Sequence, residues 1–538
     1  MTGPVMRNHT VHADRSVSPA VLTFSEVFNV CVPFLDRHLE QGRGSKVLAR
    51  WRSRELTYGE LYCSVLRLGN ALQKLGVGPG DRVALFLKDT PAFYQAFLAA
   101  VRIGAVVIPV NTFLRAKDYA YILKDSAARA LFACDGPIEE VKKAIEEPGL
   151  ALSHFIAADA AAAPQSWLSL DALMAEAEEF CPPYQTMPSS QCFWLYSSGS
   201  TGSPKAAVHE HKDMVYAAEH FGVGVVELTG DDIIFSAPKL FFAYGVGNSF
   251  SFPLYTGGSC VLLEHRPTAE NTIDIINDFR PTVYFGVPTL YAAQLAAIEK
   301  GKVFSRGRLR FCHSGGEALP GALFERWHKA TGLAIYDGIG SSEVLHIYVS
   351  NCPKDLKIGS SGKPVPGYEI KAADASGERL PPGETGELWV RGDSVAKFYW
   401  NKTGKNAASW QDGWFKTGDM VYEDEDGFFH FCGRGDDMLK AGGIWVAPFE
   451  VESALIKHPA VLEAAVVGAE DENGLIKPKA YCVLREPPVT PEALADELIA
   501  FVKQHLAPYK YPRWIVFLDE LPKTASGKIQ RFKLRSEV

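Results

Sequence analysis

No two cysteines in this 538-residue chain form a C-x-x-C pair; the closest of the ten are Cys181 and Cys192. That spacing excludes the common zinc frameworks, and scattered thiols in so long a chain do not make a disulfide scaffold. They read as small buried apolar residues in a reducing compartment. Long hydrophobic runs are missing as well. The best candidate, FLAAVRIGAVVIPV from Phe97, is interrupted by Arg102, so no membrane span is expected. The N-terminal MTGPVMRNHTVHADRSVSP lacks the apolar core of a signal peptide. A cytoplasmic protein is expected, with residues 1–23 as a disordered extension. Positive charge is in deficit. Lys and Arg number 55 against 63 Asp and Glu, a formal charge of −8, which disfavours a nucleic-acid partner.

The composition that remains is that of an ordinary globular protein, 47% hydrophobic and 22% charged, and too long for a single core. From Asp81 the pattern alternates. RVALFL is a short apolar run, and Thr90-Pro91 suits a helix start for PAFYQAFLAAVRIG. Gly104 closes that helix and AVVIPV follows as a buried strand. DYAYILKDSAARA and ALFAC repeat the unit, which predicts parallel α/β layers. DIIFSAP, SCVLLE and TVYFGVP continue as strands. From about Gly362 frequent Pro and Gly between alternating segments indicate a β-rich subdomain. Beyond Arg434 a smaller α/β unit begins.

One stretch carries chemistry on its face. Tyr196 to Lys205 reads YSSGSTGSPK, preceded by the apolar CFWLY. Gly lets backbone N–H groups approach an anion, successive amides in a tight loop form a nest, and Lys205 adds a point charge. An oxyanion, phosphate above all, suits Ser197, Ser198, Gly199, Ser200, Thr201, Gly202 and Lys205. From this window alone a flexible surface loop remains open. The loop is not a Walker A motif, which requires Gly-Lys-Ser/Thr, and Pro204 excludes a helix running straight out of it.

Further motifs follow in order: DGIGSSE from Asp337, WFKTGD ending at Asp419, GRGDDMLKAGG from Gly433, and PKTASGK ending at Lys528. Together with YSSGSTGSPK they resemble the acyl-adenylate-forming superfamily, over roughly Phe24 to the C-terminus. SAPKLFFAYGVGNSFSFPL from Ser236, GSSEVLHIYVSN and LAPYKYPR are similar to its benzoate– and hydroxybenzoate–CoA ligases. The resemblance implies an α/β protein. A large N-terminal domain (24–433) of stacked α/β sheets with a β subdomain would bind AMP and the acyl group. A small mobile α+β C-terminal domain (434–538) would follow. It also implies ATP, Mg²⁺ and coenzyme A, an aromatic carboxylate substrate, and AMP and pyrophosphate as products.

The same resemblance assigns residues. Lys528 bridges the carboxylate and α-phosphate. Thr201 and Lys205 cradle the outer phosphates, and Glu343 and Thr201 hold Mg²⁺, beside Ser342. Gly315, Gly316 and Glu317 lay flat backbone against adenine, with Asp337 and Gly338 at its edge. Asp419 takes the ribose hydroxyls, supported by Arg434. Asp436 is the hinge. Gly443 lets pantetheine pass, and Tyr509 and Arg513 meet the CoA nucleotide. Ala243, Tyr244, Gly315, Gly340, His346 and Ile347 line the acyl slot. The chain departs from the family pattern at Ala206, where Gly is usual, at Gly315, where close relatives often carry Ala, and at Ala441-Gly442. These departures bear on substrate choice. Loading of a carrier protein instead of CoA remains the alternative. A lysine acetyltransferase acting on Lys528 and a monomeric or homodimeric state are further expectations.

Overall fold

The computed structural model describes residues 7–158, 163–199, 202–441, 444–471, 476–487, 490–506, 510–523 and 529–535. Short β-branched and aromatic runs form the strands. The helices between them start where the sequence supplies caps. Thr57 accepts from the Glu60 amide while Glu60 answers the Thr57 amide, a reciprocal cap for the helix Tyr58–Lys74. The helix Pro91–Arg102 starts on its proline; Thr90 is its N-cap in extended geometry but makes no side-chain capping bond. Gly104 follows with φ +79°, and Val106–Pro109 is a fully buried strand.

These units build two large sheets. The strands Arg82–Phe86, Val106–Pro109, Ala130–Ala133 and His154–Ala157 pair in parallel at the centre of a seven-stranded sheet. A nine-stranded sheet has Ile233–Ser236, Ser259–Leu262, Val283–Gly286, Phe311–Gly315 and Ile335–Gly340 as its parallel middle. Helices pack between them. Phe97 lies 5.8 Å from Phe193 of the first sheet and 4.5 Å from Phe250 beside the second, so one apolar core joins both. A five-stranded antiparallel sheet forms the β subdomain, its strands including Glu369–Ala373, Gly386–Arg391, Trp414–Glu423 and Phe429–Arg434. The small domain has its own three-stranded sheet and a separate core around Val451, Leu455, Val466, Leu498 and Val502.

Two expectations change. The N-terminal segment is not an unstructured extension from residue 7 onward. Val11–Asp14 and Val21–Phe24 pair antiparallel, and Arg15 beyond the first strand forms a two-pronged ion pair with buried Glu219, at 2.6 and 2.7 Å. A hairpin this short, whose Val11, Leu22 and Phe24 pack on a core built from distant segments, carries little hydrophobic periodicity, which is why composition reads it as disorder. Residues 1–6 lie outside the described residues. Arg434, expected to open the small domain, ends a strand of the large one, in register with Asp419.

A candidate nucleotide and acyl site

The loop read from YSSGSTGSPK joins two antiparallel strands, Gln191–Gly199 and Gly202–Glu210, with Ser197 opposite Lys205 and Gly199 opposite Gly202. Strand, not helix, leaves the loop, as Pro204 requires. Ser200 and Thr201 lie outside the described residues, as do Gly443, Tyr509 and Lys528; of Ser198, Gly199 and Gly202 only the backbone is described. The Ser197 hydroxyl is buried without a partner.

Lys205 meets Glu343 across the sheets. Its Nζ lies 2.9 Å from Glu343 Oε1 and 2.5 Å from the Tyr399 hydroxyl, which is itself 2.8 Å from the same carboxylate oxygen. Burial pushes the Glu343 carboxyl up, but the Lys205 charge and the hydrogen bonds from Lys205 and Tyr399 prevail and hold it at about 2. The carboxylate is ionised, as a hard cation needs. Its backbone is tied on both sides. The Ala396 amide donates to the Glu343 carbonyl at 2.6 Å, and His209 Nε2 lies 2.7 Å from the Ser342 carbonyl.

Strand Ile335–Gly340 carries the next groups. Asp337 is buried; Ser361 donates to its Oδ2 at 3.1 Å, while Oδ1 has no partner. Burial pushes its carboxyl well above the usual range, against hydrogen bonds from Ser361 and the Leu319 and Gly338 amides. The orphaned oxygen is an acceptor waiting for a donor, which fits an adenine amino group. Gly316 (φ +89°) faces open space: a Cβ there would meet nothing within 4 Å. Flat backbone beside an unpaired acceptor fits a purine. Arg434 donates to Asp419 Oδ1 at 2.8 Å and to the Thr417 carbonyl at 3.0 Å, which orients the carboxylate expected at the ribose. Among the described residues no group of three or more His, Cys, Asp or Glu could hold a metal ion by itself. A single carboxylate shared with phosphate oxygens is the arrangement Mg²⁺ favours, so Glu343 fits it.

The residues expected to line the acyl slot lie nearby. A Cβ on Gly315 would lie 3.2 Å from Ile347 Cδ1 and 3.4 Å from Tyr244 Cζ, so the three expected wall residues do converge. Ala243 is buried at the start of the turn Ala243–Gly245. Gly340 behaves differently from Gly315. A Cβ there would meet the His346 carbonyl oxygen at 2.8 Å, so its lack of a side chain serves close strand packing. His346 is enclosed by Phe221, Phe252 and Tyr244, with ring centroids 4.9, 4.6 and 5.4 Å away. Asn248 donates through Nδ2 to Ser236, so its Oδ1 accepts from His346 Nε2 at 3.1 Å. Burial lowers His346 to about 3, against the nearby Tyr244 carbonyl. It is neutral, and its Nδ1 has no partner.

Four groups escaped the sequence reading: Tyr399, His209, Ser361 and His313. The last lies 2.7 Å through Nδ1 from the Tyr244 hydroxyl and 3.1 Å through Nε2 from Ser350 Oγ. Strand periodicity is the available signal for two of them, since His209 shares a face with Lys205 and His313 with Gly315. Tyr399 and Ser361 come from other segments and carry no such signal. In the small domain the Arg513 guanidinium stacks over Tyr511 at 3.6 Å, and Arg531, held by Glu452 at 2.8 Å, also feels the charge of Glu317 from the large domain.

Comparison with known proteins gives this geometry a family. The AMP-binding enzyme model matches residues 35–400, and the AMP-binding enzyme C-terminal domain matches 450–528. The chain belongs to the AMP-binding enzyme family. It is 45% identical to a benzoate–CoA ligase of Thauera aromatica over 97% of this chain and 99% of that protein. It is 43% identical to a 4-hydroxybenzoate–CoA/benzoate–CoA ligase of Rhodopseudomonas palustris over 94% of each. Among solved structures, a benzoate CoA ligase from Burkholderia xenovorans LB400 superposes with TM-score 0.87 at 41% identity, covering 95% of this chain and all of that one. The anthranilate CoA ligase AuaEII with anthranoyl-AMP gives 0.91 at 40% identity, covering 96% and 98%. No helix among the described residues is long and apolar enough to cross a membrane.

Proposed function

We propose that the slot between Gly315, Tyr244 and Ile347 takes a benzoate-class acid, and that the protein is an AMP-forming aryl-CoA ligase using ATP, Mg²⁺ and coenzyme A. The observation that carries this is the convergence of an aromatic ring and an aliphatic side chain on the bare backbone of Gly315, on the strand next to the one that leads to Glu343. A carboxylate is a poor acyl donor because its carbonyl is electron-rich and its leaving group is bad. Its oxygen attacks the α-phosphorus; the new P–O bond forms as the α–β bridge breaks and pyrophosphate leaves. The thiolate of CoA then attacks the acyl carbonyl and AMP departs.

The first step gathers negative charge, so oriented cations dominate it. Lys205, with Thr201 and the loop amides, cradles the outer phosphates, and Lys528 neutralises the α-phosphate. Glu343 would hold Mg²⁺, which when bound would supply charge neutralisation at the phosphate oxygens. Asp337 accepts from adenine and Asp419 from ribose. For the second step the small domain turns about Asp436. Lys528 withdraws, Gly443 comes in beside pantetheine, and Tyr509 and Arg513 meet the CoA nucleotide. Acetylation of Lys528 removes its charge and switches off the first step.

Free CoA, not a carrier protein, is the acceptor; the relatives that support this are themselves CoA ligases. Pyrophosphate release across benzoates, cinnamates, phenylacetate and fatty acids, with CoA or a carrier protein as acceptor, tests the reading. Benzoate or a benzoate bearing one hydroxyl, amino or fluorine is expected to give the highest kcat/KM. A cinnamate or medium-chain fatty acid in first place would overturn the acyl assignment.

A further inference from the structure

Tyr399 stands where three chemistries meet, and its placement is built into the fold. The segment around it lies along the strand that leaves the phosphate loop: Lys397 and Trp400 amides donate to the Val208 and Ala206 carbonyls, and the Val208 amide donates to Phe398. This pairing sets Tyr399 beside Lys205. The Asn406 side chain grips both backbone groups of Tyr399, accepting from its amide at 2.7 Å and donating to its carbonyl at 2.9 Å. Trp410 packs edge-on against the ring at 5.0 Å. The side chain is fully buried and has no room to follow a moving partner.

The donor directions at its hydroxyl are fixed by chemistry. An ammonium only donates, and an ionised carboxylate only accepts. Lys205 therefore donates into the Tyr399 oxygen, and the Tyr399 O–H must point at Glu343 Oε1. That oxygen accepts from both Lys205, at 2.9 Å, and Tyr399, at 2.8 Å. The lysine has a flexible stem and phosphates outcompete a single carboxylate for it. The phenol is clamped and stays.

We propose that Tyr399 is a positioning residue for the cation site: when Lys205 turns to the nucleotide phosphates, the Tyr399 hydroxyl keeps Glu343 aimed at the bound metal. This rests on the reading of Glu343 as the Mg²⁺ carboxylate.

Tyr399→Phe removes one oxygen and keeps the ring against Trp410. The test is equilibrium binding without acyl acid, so that no turnover intervenes. Mn²⁺ is titrated into protein with saturating ATP and followed by its paramagnetic resonance signal, and AMP affinity is measured by calorimetry as a control. A hydrogen bond to a charged group predicts ATP-dependent Mn²⁺ binding weakened about tenfold or more, with AMP binding unchanged within about twofold. Unchanged Mn²⁺ binding in Tyr399→Phe, alongside weakened binding in Glu343→Gln, overturns the role of Tyr399 and leaves the metal assignment standing. Unchanged Mn²⁺ binding in both variants overturns the metal assignment and this proposal with it. Equal loss of AMP and Mn²⁺ binding in Tyr399→Phe also overturns it, since that marks a general packing role.

Discussion

On the proposed acyl assignment, Gly315 is the residue at which a change is expected to shift substrate choice most. A methyl there meets Ile347 and Tyr244 at 3.2 and 3.4 Å, side chains that can give by a few tenths of an ångström. Gly315→Ala is expected to keep benzoate turnover within a few-fold. It should lower kcat/KM for a ring-substituted benzoate by about tenfold, the order of one methylene's worth of space in a tight pocket. Kinetics on both acids with both proteins check this. Gly340→Ala faces a backbone carbonyl that cannot yield, so its effect is expected on stability, about 1–3 kcal/mol by thermal or urea unfolding. Lys528→Ala is expected to cripple formation of the acyl-AMP while thioester formation from supplied acyl-AMP survives. Equal loss in both half-reactions would refute that division. Its placement comes from PKTASGK alone, because Lys528 lies outside the described residues.

Between the two domains runs one short 3-10 turn, Gly435–Asp437. Both of its flanks are pinned. Arg434 is tied to Asp419 and the Thr417 carbonyl in the large domain. Asp437 is held by Arg535 and, at 3.8 Å, by Arg531 of the small domain's last helix. On the proposed domain rotation, Gly435 and Asp436 lie between these ties and are where the dihedral change is expected. Asp436→Pro fixes φ near −65° and is expected to slow the thioester half-reaction well beyond adenylation. Separate assays of pyrophosphate release and of CoA consumption from supplied acyl-AMP measure the ratio. A variant with both rates unchanged would remove the hinge from this position.

At the scale of the whole molecule, the N-terminal hairpin is tied to the large domain through Arg15 and Glu219. Glu219 also accepts from Tyr255 at 2.6 Å, and it belongs to the helical segment whose Phe221 packs on His346. Burial pushes the Glu219 carboxyl up, but Arg15 and Tyr255 more than offset this and hold it below its ordinary value. A carboxyl depressed in the folded state stabilises the fold above its unfolded pKa, about 4.3, and that contribution disappears as pH falls through the folded value. Arg15 is more than half exposed, so Arg15→Ala is expected to cost about 1–2 kcal/mol at neutral pH. The difference from the parent should shrink on acidification below about pH 4, where Glu219 takes up its proton in both proteins. Urea titrations of both proteins across that range test the magnitude and the sign; a gap that grows toward low pH would exclude the ion pair as its source.

Local order was legible in the sequence. Period and punctuation set the strands and helices, Pro204 kept helix away from the phosphate loop, and five ordered motifs named the chemistry. That 315, 316 and 340 are glycines was legible, but not what each glycine does. Open space at Gly316, a side-chain wall at Gly315 and a backbone oxygen at Gly340 are distances between segments, and no single segment encodes them. The same holds for Tyr399. Its hydroxyl matters because residues 397–400 lie against 206–208, almost two hundred positions earlier, and bring a phenol against both Lys205 and Glu343. The hairpin at the N-terminus escaped notice for a related reason, since Arg15 reaches Glu219 and Val11, Leu22 and Phe24 pack on a core built from distant segments. Propensity and motif act within a few residues along the chain. Register, packing distance and the pairing of buried charges act across it, and those only the tertiary structure decided.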